Sequence, residues 1–264
     1  MKDAGITHFE SLAEFARACQ KRDIGGIGSD RWSGGTVEDA YSFALQGDVS
    51  HVPEAEAMAD KVLSQIDFSD LVPRWEPSPV GFFPIVPNAL AGVPDSMLAR
   101  EEMPAQDSEI EIWANTTVSG ACSAKDMVRR GVVTLALAIA LEHVRPVRLV
   151  LYSTMDRHNV AIRLSSPLDV SEVCAAFCQP SVTRRLVYGW DMQNGSRGKW
   201  ASWAETQKGR DEEREALVKV MGMPKDALHL STEKLGRYSY VSDAQLVEII
   251  NSKVREFMDR QAGE

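Results

Sequence analysis

The sequence predicts an α/β fold: a largely parallel sheet with helices on both faces, behind an N-terminal helical and proline-rich addition. Three observations carry this. In 109-EIEIWANTTVSGACSAKDMVRRGVVTLALAIALEHVRPVRLVLYS-153 an apolar strand, a hydroxyl-rich turn, a long helix and a second strand follow one another. A third apolar run, 159-NVAIRLSS-166, then comes after only a short polar loop. Seven prolines lie between Val72 and Pro104, where long helices are therefore excluded.

Taken in order, THFESLAEFARACQKR (7–22) places Phe9, Leu12, Phe15, Ala16 and Cys19 at helical spacing behind Thr7 as the expected cap. The glycine-rich stretch 23–35 lacks both the preceding apolar strand and the Lys-Ser/Thr ending of a phosphate loop, and is expected to be a plain loop. A helix over 36–47 opens on Thr36 and stops at Gly47, and another covers about 53–66. The proline-rich segment suits short edge strands, with Trp75, Phe82, Phe83, Ile85 and Val86 expected to bury it against the main domain. The cut falls at 105: residues 1–105 form the acidic addition and 106–264 the α/β domain.

Within 106–264, strand one starts at Ile110, a helix spans 123–143, and strand two is VRLVLYS (147–153). A parallel return needs a connection of about a dozen residues or more, so strands two and three must form an antiparallel hairpin. A helix over 169–189, an insertion over 191–211, a helix to about 221, a short strand ALHLS (227–231) and a closing helix over 242–260 complete the chain. The succession is Rossmann-like.

The 264 residues are 44% hydrophobic, enough for a real core. The longest nearly uncharged run, Gly131 to Leu141, is too short to span a bilayer, and MKDAGITHFE has no secretory apolar segment, so cytoplasmic residence without membrane contact is expected. Residues 1–108 hold 8 Lys+Arg against 18 Asp+Glu, while 125–210 hold 13 against 7. A locally basic surface is thus compatible with a net charge of −9. Cys174 and Cys178 share one side of a helix; a zinc half-site would need a second ligand pair that the sequence lacks, which favours buried free thiols.

Strand, helix, hairpin, helix, strand, helix, with a hydroxyl-rich turn after strand one, resembles the von Willebrand factor A domain. That resemblance implies a divalent cation held by an Asp-x-Ser-x-Ser turn. Here the positions read Asn115-x-Thr117-x-Ser119, with Ser231, Thr232 and Glu233 as outer contributors. Loss of the carboxylate leaves at most weak Mg²⁺ binding and otherwise no cofactor. The turn has two other readings: Ser119 or Ser123 caps the helix while Asn and Thr side chains satisfy the loop, or the helix N-terminus receives an anion.

The phrases VGFFPIVPNALAGVPDSML (80–98), RRGVVTLALAIALE (129–142) and PSVTRRLVYGW (180–190) resemble an uncharacterised family of tailed-bacteriophage proteins. Similarity to proteins of N4-like phages implies single-stranded DNA binding, recruitment of a phage RNA polymerase, and residence in the host cytoplasm. A stretch suited to that role is 184–210, where Arg184, Arg185, Trp190, Arg197, Lys199, Trp200, Trp203, Lys208 and Arg210 mix stacking rings with cations. Base stacking contributes about 1–3 kcal/mol per base and the cations neutralise phosphates. The competing reading makes Trp200 and Trp203 anchors of the insertion on the core.

No catalytic residues are expected. The five histidines are scattered, and His158 beside Asp156 and Arg157 reads as part of a solvated turn. A non-enzymatic accessory protein binding single-stranded DNA or a phage RNA polymerase is the leading expectation. The alternative is a protein-binding adaptor using the turn at 115–119, and a small-molecule ligand is not expected.

Overall fold

The computed structural model describes residues 5–24, 28–65, 75–100, 109–118, 120, 122–143, 145–154, 158–164, 166–195, 214–230 and 242–262. The chain divides into two units, 1–65 with 109–264, and 66–108. The division therefore departs from the expected cut at 105: the N-terminal helices belong with the α/β core.

The reason lies in the first residues. Gly5–Phe9 form a strand, β1, that runs parallel to Val160 and its neighbours at the edge of the main sheet. Thr7 is thus a strand residue, and Ser11 caps α1 (Leu12–Lys21) by accepting from the Glu14 amide at 3.0 Å. Phe9, Leu12, Phe15, Ala16 and Cys19 are all buried, as the spacing requires. A single turn, α2 (Asp30–Ser33), precedes α3 (Val37–Gln46), where Thr36 and Asp39 close a reciprocal capping box. Next comes α4 (Val52–Leu63).

The 66–108 unit carries β2 (Trp75–Ser78), β3 (Phe83–Pro84), α5 (Val86–Leu90) and β4 (Met97–Arg100), paired antiparallel in the order β2-β4-β3. Of the apolar residues expected to be buried, Phe82, Phe83 and Val86 are exposed and Ile85 is half-buried, while the side chain of Trp75 lies outside the described ones. Pro77, Pro79, Pro84 and Pro87 keep the strands so short that their side chains have no packed layer to enter.

The main sheet adds β5 (Ile110–Asn115), β6 (Val147–Tyr152), β7 (His158–Arg163) and β8 (Leu228–Leu230) in the order β1-β7-β6-β5-β8. It is mostly parallel and flanked by helices, compatible with a Rossmann-like α/β fold. The β6–β7 pair is the antiparallel hairpin that the short loop demands. Between β5 and β6, α6 (Ala124–Glu142) is buried at every position from Gly131 to Leu141, so it is a core helix, capped by Ser123 and Asp126. The expected helix over 169–189 breaks at Gln179-Pro180 into α7 (Val170–Cys178), a π-helical stretch (Val182–Val187) and α8 (Tyr188–Gln193). A second π-helical stretch (Leu217–Met221) precedes β8, and α9 (Asp243–Ala262) closes the chain.

Gly131 lets α6 lie against α7: a Cβ there would sit 2.2 Å from the Phe177 carbonyl oxygen. Backbone cannot swing aside as a side-chain tip does, so Gly131→Ala is expected to cost about 1–3 kcal/mol. Urea unfolding of the variant, with unchanged m-value, checks this. Among the described residues no helix is long and apolar enough to cross a membrane.

Candidate functional site

The strands β5, β6 and β8 point their carboxyl ends to one edge of the sheet, and from β5 the chain connects through α6 to β6 on one side while β8 lies on the other. In open α/β sheets that divergence is where ligands bind. The hydroxyl-rich turn sits there. Asn115 accepts the Thr117 amide at 2.7 Å through Oδ1 and donates through Nδ2 to the Thr154 hydroxyl at 3.2 Å. The Thr154 amide donates to the Thr117 hydroxyl at 2.8 Å, and the Thr116 hydroxyl to the Tyr152 carbonyl at 3.2 Å. The Val118 amide donates to the buried Tyr188 hydroxyl at 3.0 Å.

Asn115 and Thr117 are thus buried and engaged in knitting β5 to β6, which is the loop-satisfying role. Two neutral side-chain oxygens that already accept backbone amides of the loop are a poor match for Mg²⁺, which favours carboxylates. Among the described residues no group of three His, Cys, Asp or Glu side chains could hold a metal ion. Ser119, Ser231, Thr232 and Glu233 lie outside the described residues.

Of the basic stretch, the three described residues, Arg184, Arg185 and Trp190, are buried rather than presented to a nucleic acid. Arg184 is 1% exposed; its guanidinium donates to the carbonyls of Trp32 and Cys122 and lies over the Trp32 ring, 4.4 Å from the centroid. Arg185, also buried, donates to the Gly28 carbonyl at 3.0 Å, the Gly35 carbonyl at 3.3 Å and the Asp30 carboxylate at 2.5 Å. Both cations therefore pin the 28–35 loop to the core and are withdrawn from any nucleic-acid surface. Trp190 is buried too, edge-on to Phe9 and Phe15, with Arg22 over its ring at 4.2 Å. Arg197, Lys199, Trp200, Trp203, Lys208 and Arg210 lie outside the described residues.

A polar network that the sequence did not reveal lies beside Trp190. His158 is the first residue of β7, buried rather than solvated. Its Nε2 lies 3.1 Å from the Thr7 hydroxyl, and its Nδ1 lies 3.5 Å from the fully buried Asp191 carboxylate. The other Asp191 oxygen accepts from the Ser153 hydroxyl at 2.7 Å. Burial raises the Asp191 pKa, against the opposing pull of His158 and Ser153. No short motif links residues 7, 153, 158 and 191, so nothing in the sequence could have joined them. The four cysteines are free and buried, as expected of core thiols.

Under the turn is a small cavity of about 20 Å³, lined by Asn115, Thr116, Arg130, Gly131, Phe177 and Thr183 among others. The 66–108 unit contributes a different kind of surface. Val80, Phe82, Phe83, Val86, Leu90 and Val93 are exposed there, Leu90 to 85% and Phe82 to 75%.

A family model described as "Domain of unknown function (DUF7192)" matches residues 3–218, most of the chain. The protein belongs to the DUF7192 family. Comparisons with curated proteins and with solved structures give no match. The matched segment takes in β1 to β7, the inserted 66–108 unit and both π-helical arginines, so it covers residues 3–105 of the expected N-terminal addition and the core up to Val218.

Proposed function

We propose that this DUF7192 protein is a non-enzymatic accessory protein that acts by recruitment and grips its partner through the 66–108 unit. The observation that carries this is the set of six exposed large apolar side chains within 80–93. Contiguous apolar surface on a soluble protein marks an interaction site. Residues 66–108 also hold seven acidic against two basic residues, which repels nucleic acid and favours a protein surface with a basic rim. The resemblance to N4-like phage proteins makes the phage RNA polymerase the first partner to test.

A second reading, single-stranded DNA binding, rests on the mixture of Trp200 and Trp203 with Arg197, Lys199, Lys208 and Arg210, since Arg184, Arg185 and Trp190 are engaged in the core. The finer von Willebrand factor A reading of the core is supported by the order β7-β6-β5-β8, third-second-first-fourth with the third strand antiparallel.

The test is interferometry against immobilised phage RNA polymerase with wild type and a Phe82→Glu/Phe83→Glu variant. Loss of two central apolar contacts is expected to weaken binding by roughly tenfold or more at an unchanged melting temperature. Equal binding by both proteins would remove the 66–108 unit from the interface. Salt-sensitive binding of a labelled single-stranded oligonucleotide, lost on Trp200→Ala, would instead support the second reading.

A further inference from the structure

We infer that the cavity between the end of α6 and the start of α7 is a receptor for a primary alkylammonium group, carried by a free amine or by a lysine side chain. The cavity has a volume of about 200 Å³ and is lined by Ile139, Glu142, His143, Leu168 and Val170. It lies beside the first residue of β6, where the Val147 amide donates to Glu142 Oε2 at 2.6 Å. That is the edge of the sheet opposite the turn at Asn115. All five lining residues belong to the larger unit, so the site is independent of the apolar surface at 80–93.

Charge selects a cation. Glu142 is the last residue of α6, and the C-terminal end of a helix carries roughly half a negative charge. The N-terminal end of α6 is complemented by Asp126 in its capping box, whereas its last turn holds no Lys or Arg. Arg145, the next arginine along the chain, is buried, and among the described residues no Lys or Arg lines the cavity. Two sources of negative charge therefore meet above it. Because Oε2 of Glu142 is held by the Val147 amide, Oε1 is the oxygen left without a partner among the described residues. One open oxygen suits a compact ammonium, while a guanidinium needs both for its fork. A hard divalent cation, which takes about six oxygen ligands, is a poor match for the same reason. The exposed His143 adds a ring nitrogen that accepts a hydrogen bond when the imidazole is neutral, and an ammonium brings donors alone.

Shape selects the stem. Ile139, Leu168 and Val170 give the cavity an aliphatic lining. An apolar cavity of about 150 Å³ admits a benzene-sized molecule, so this one has room for a four-carbon chain. Each methylene it buries strengthens binding by about fourfold. The wall from α7 is fixed in advance: Asp169, between Leu168 and Val170, caps the helix by accepting the Ser171 amide at 2.9 Å and the Glu172 amide at 3.3 Å.

The experiment is an NMR titration of ¹⁵N-labelled protein with n-butylammonium chloride at constant ionic strength. A ligand of this size is expected to bind with a millimolar Kd and to give saturable shifts at Ile139, Glu142, His143, Leu168 and Val170. Methylammonium, which keeps the charge and loses the stem, should bind about tenfold or more weakly, and 1-butanol, which keeps the stem and loses the charge, should bind weakly as well. Glu142→Gln retains an oxygen for the Val147 amide and should weaken butylammonium binding by about tenfold at a melting temperature close to wild type. Leu168→Ala should weaken butylammonium severalfold and leave methylammonium unchanged. Lysine blocked at both its α-amine and its carboxylate separates the sources: tighter binding than butylammonium assigns the site to a lysine side chain, and equal or weaker binding assigns it to a free amine. Absence of a saturable butylammonium response in wild type, binding of 1-butanol as tight as that of butylammonium, or an unchanged Kd in Glu142→Gln overturns the inference.

Discussion

Arg184→Ala is expected to destabilise the protein by about 3–5 kcal/mol, lowering its melting temperature by roughly 10 °C. The side chain is among the largest fully buried ones in the chain, and it holds two carbonyls from segments far apart in sequence. Alanine leaves the Trp32 and Cys122 oxygens without that donor, each costing about 1–3 kcal/mol. It also opens a cavity under the Trp32 ring and removes the stacking charge. Trp32 itself donates from its indole to the Gly120 carbonyl at 2.9 Å, so the 28–35 loop and the turn at the end of β5 should loosen together. Thermal unfolding gives the magnitude, and hydrogen exchange at 28–35 and 116–123 reports the local effect. Arg184→Lys should fall between, because an ammonium cannot fork to two carbonyls in one plane. If Arg184→Ala melted like wild type while losing affinity for an oligonucleotide, the anchoring account would fail.

The same arginine shows where sequence reading reaches its limit. A run of Arg184, Arg185 and Trp190 carries identical chemistry whether it faces solvent or the core. What settles it is a set of carbonyl partners about 150 residues away, which no local pattern encodes. The parts that were legible obey local rules. The β6–β7 hairpin follows from loop length, α3 and α6 from their capping residues, and the core helix from its unbroken apolar run. The strand β1 was missed because Phe9 continues the spacing of Leu12 and Phe15, and only pairing with β7 distinguishes a five-residue edge strand from a first helical turn. The candidate site was half legible. The turn at 115–117 was visible as a cluster of polar side chains at a strand end, but its hydrogen bonds run inward to Thr154, Tyr152 and Tyr188, and Arg130 entered the site only through the packing of α6 on α7.

Asp191→Ala is expected to cost about 3 kcal/mol at neutral pH, and Asp191→Asn about 1 kcal/mol, with a pH dependence that identifies the cause. Alanine removes the acceptor of the Ser153 hydroxyl and the carboxylate facing His158, in a region that already packs Phe9, Phe15 and Trp190. Asparagine keeps the volume and one oxygen. Burial is the largest influence on this carboxyl and raises its folded pKa above the unfolded value of about 3.9, with His158 and Ser153 pulling it the other way. A raised acid favours folding in its protonated form. Its stabilising contribution is therefore complete below about pH 4 and is lost as pH rises through the folded pKa, because the unfolded chain ionises first. Wild type should accordingly exceed Asp191→Asn in stability by most near pH 4, with the gap narrowing toward neutrality. Urea unfolding of both proteins across about pH 4 to 8 measures this difference directly. A wild-type advantage that instead widens with rising pH would show that the contact with His158, 3.5 Å away, outweighs burial in setting the charge on Asp191.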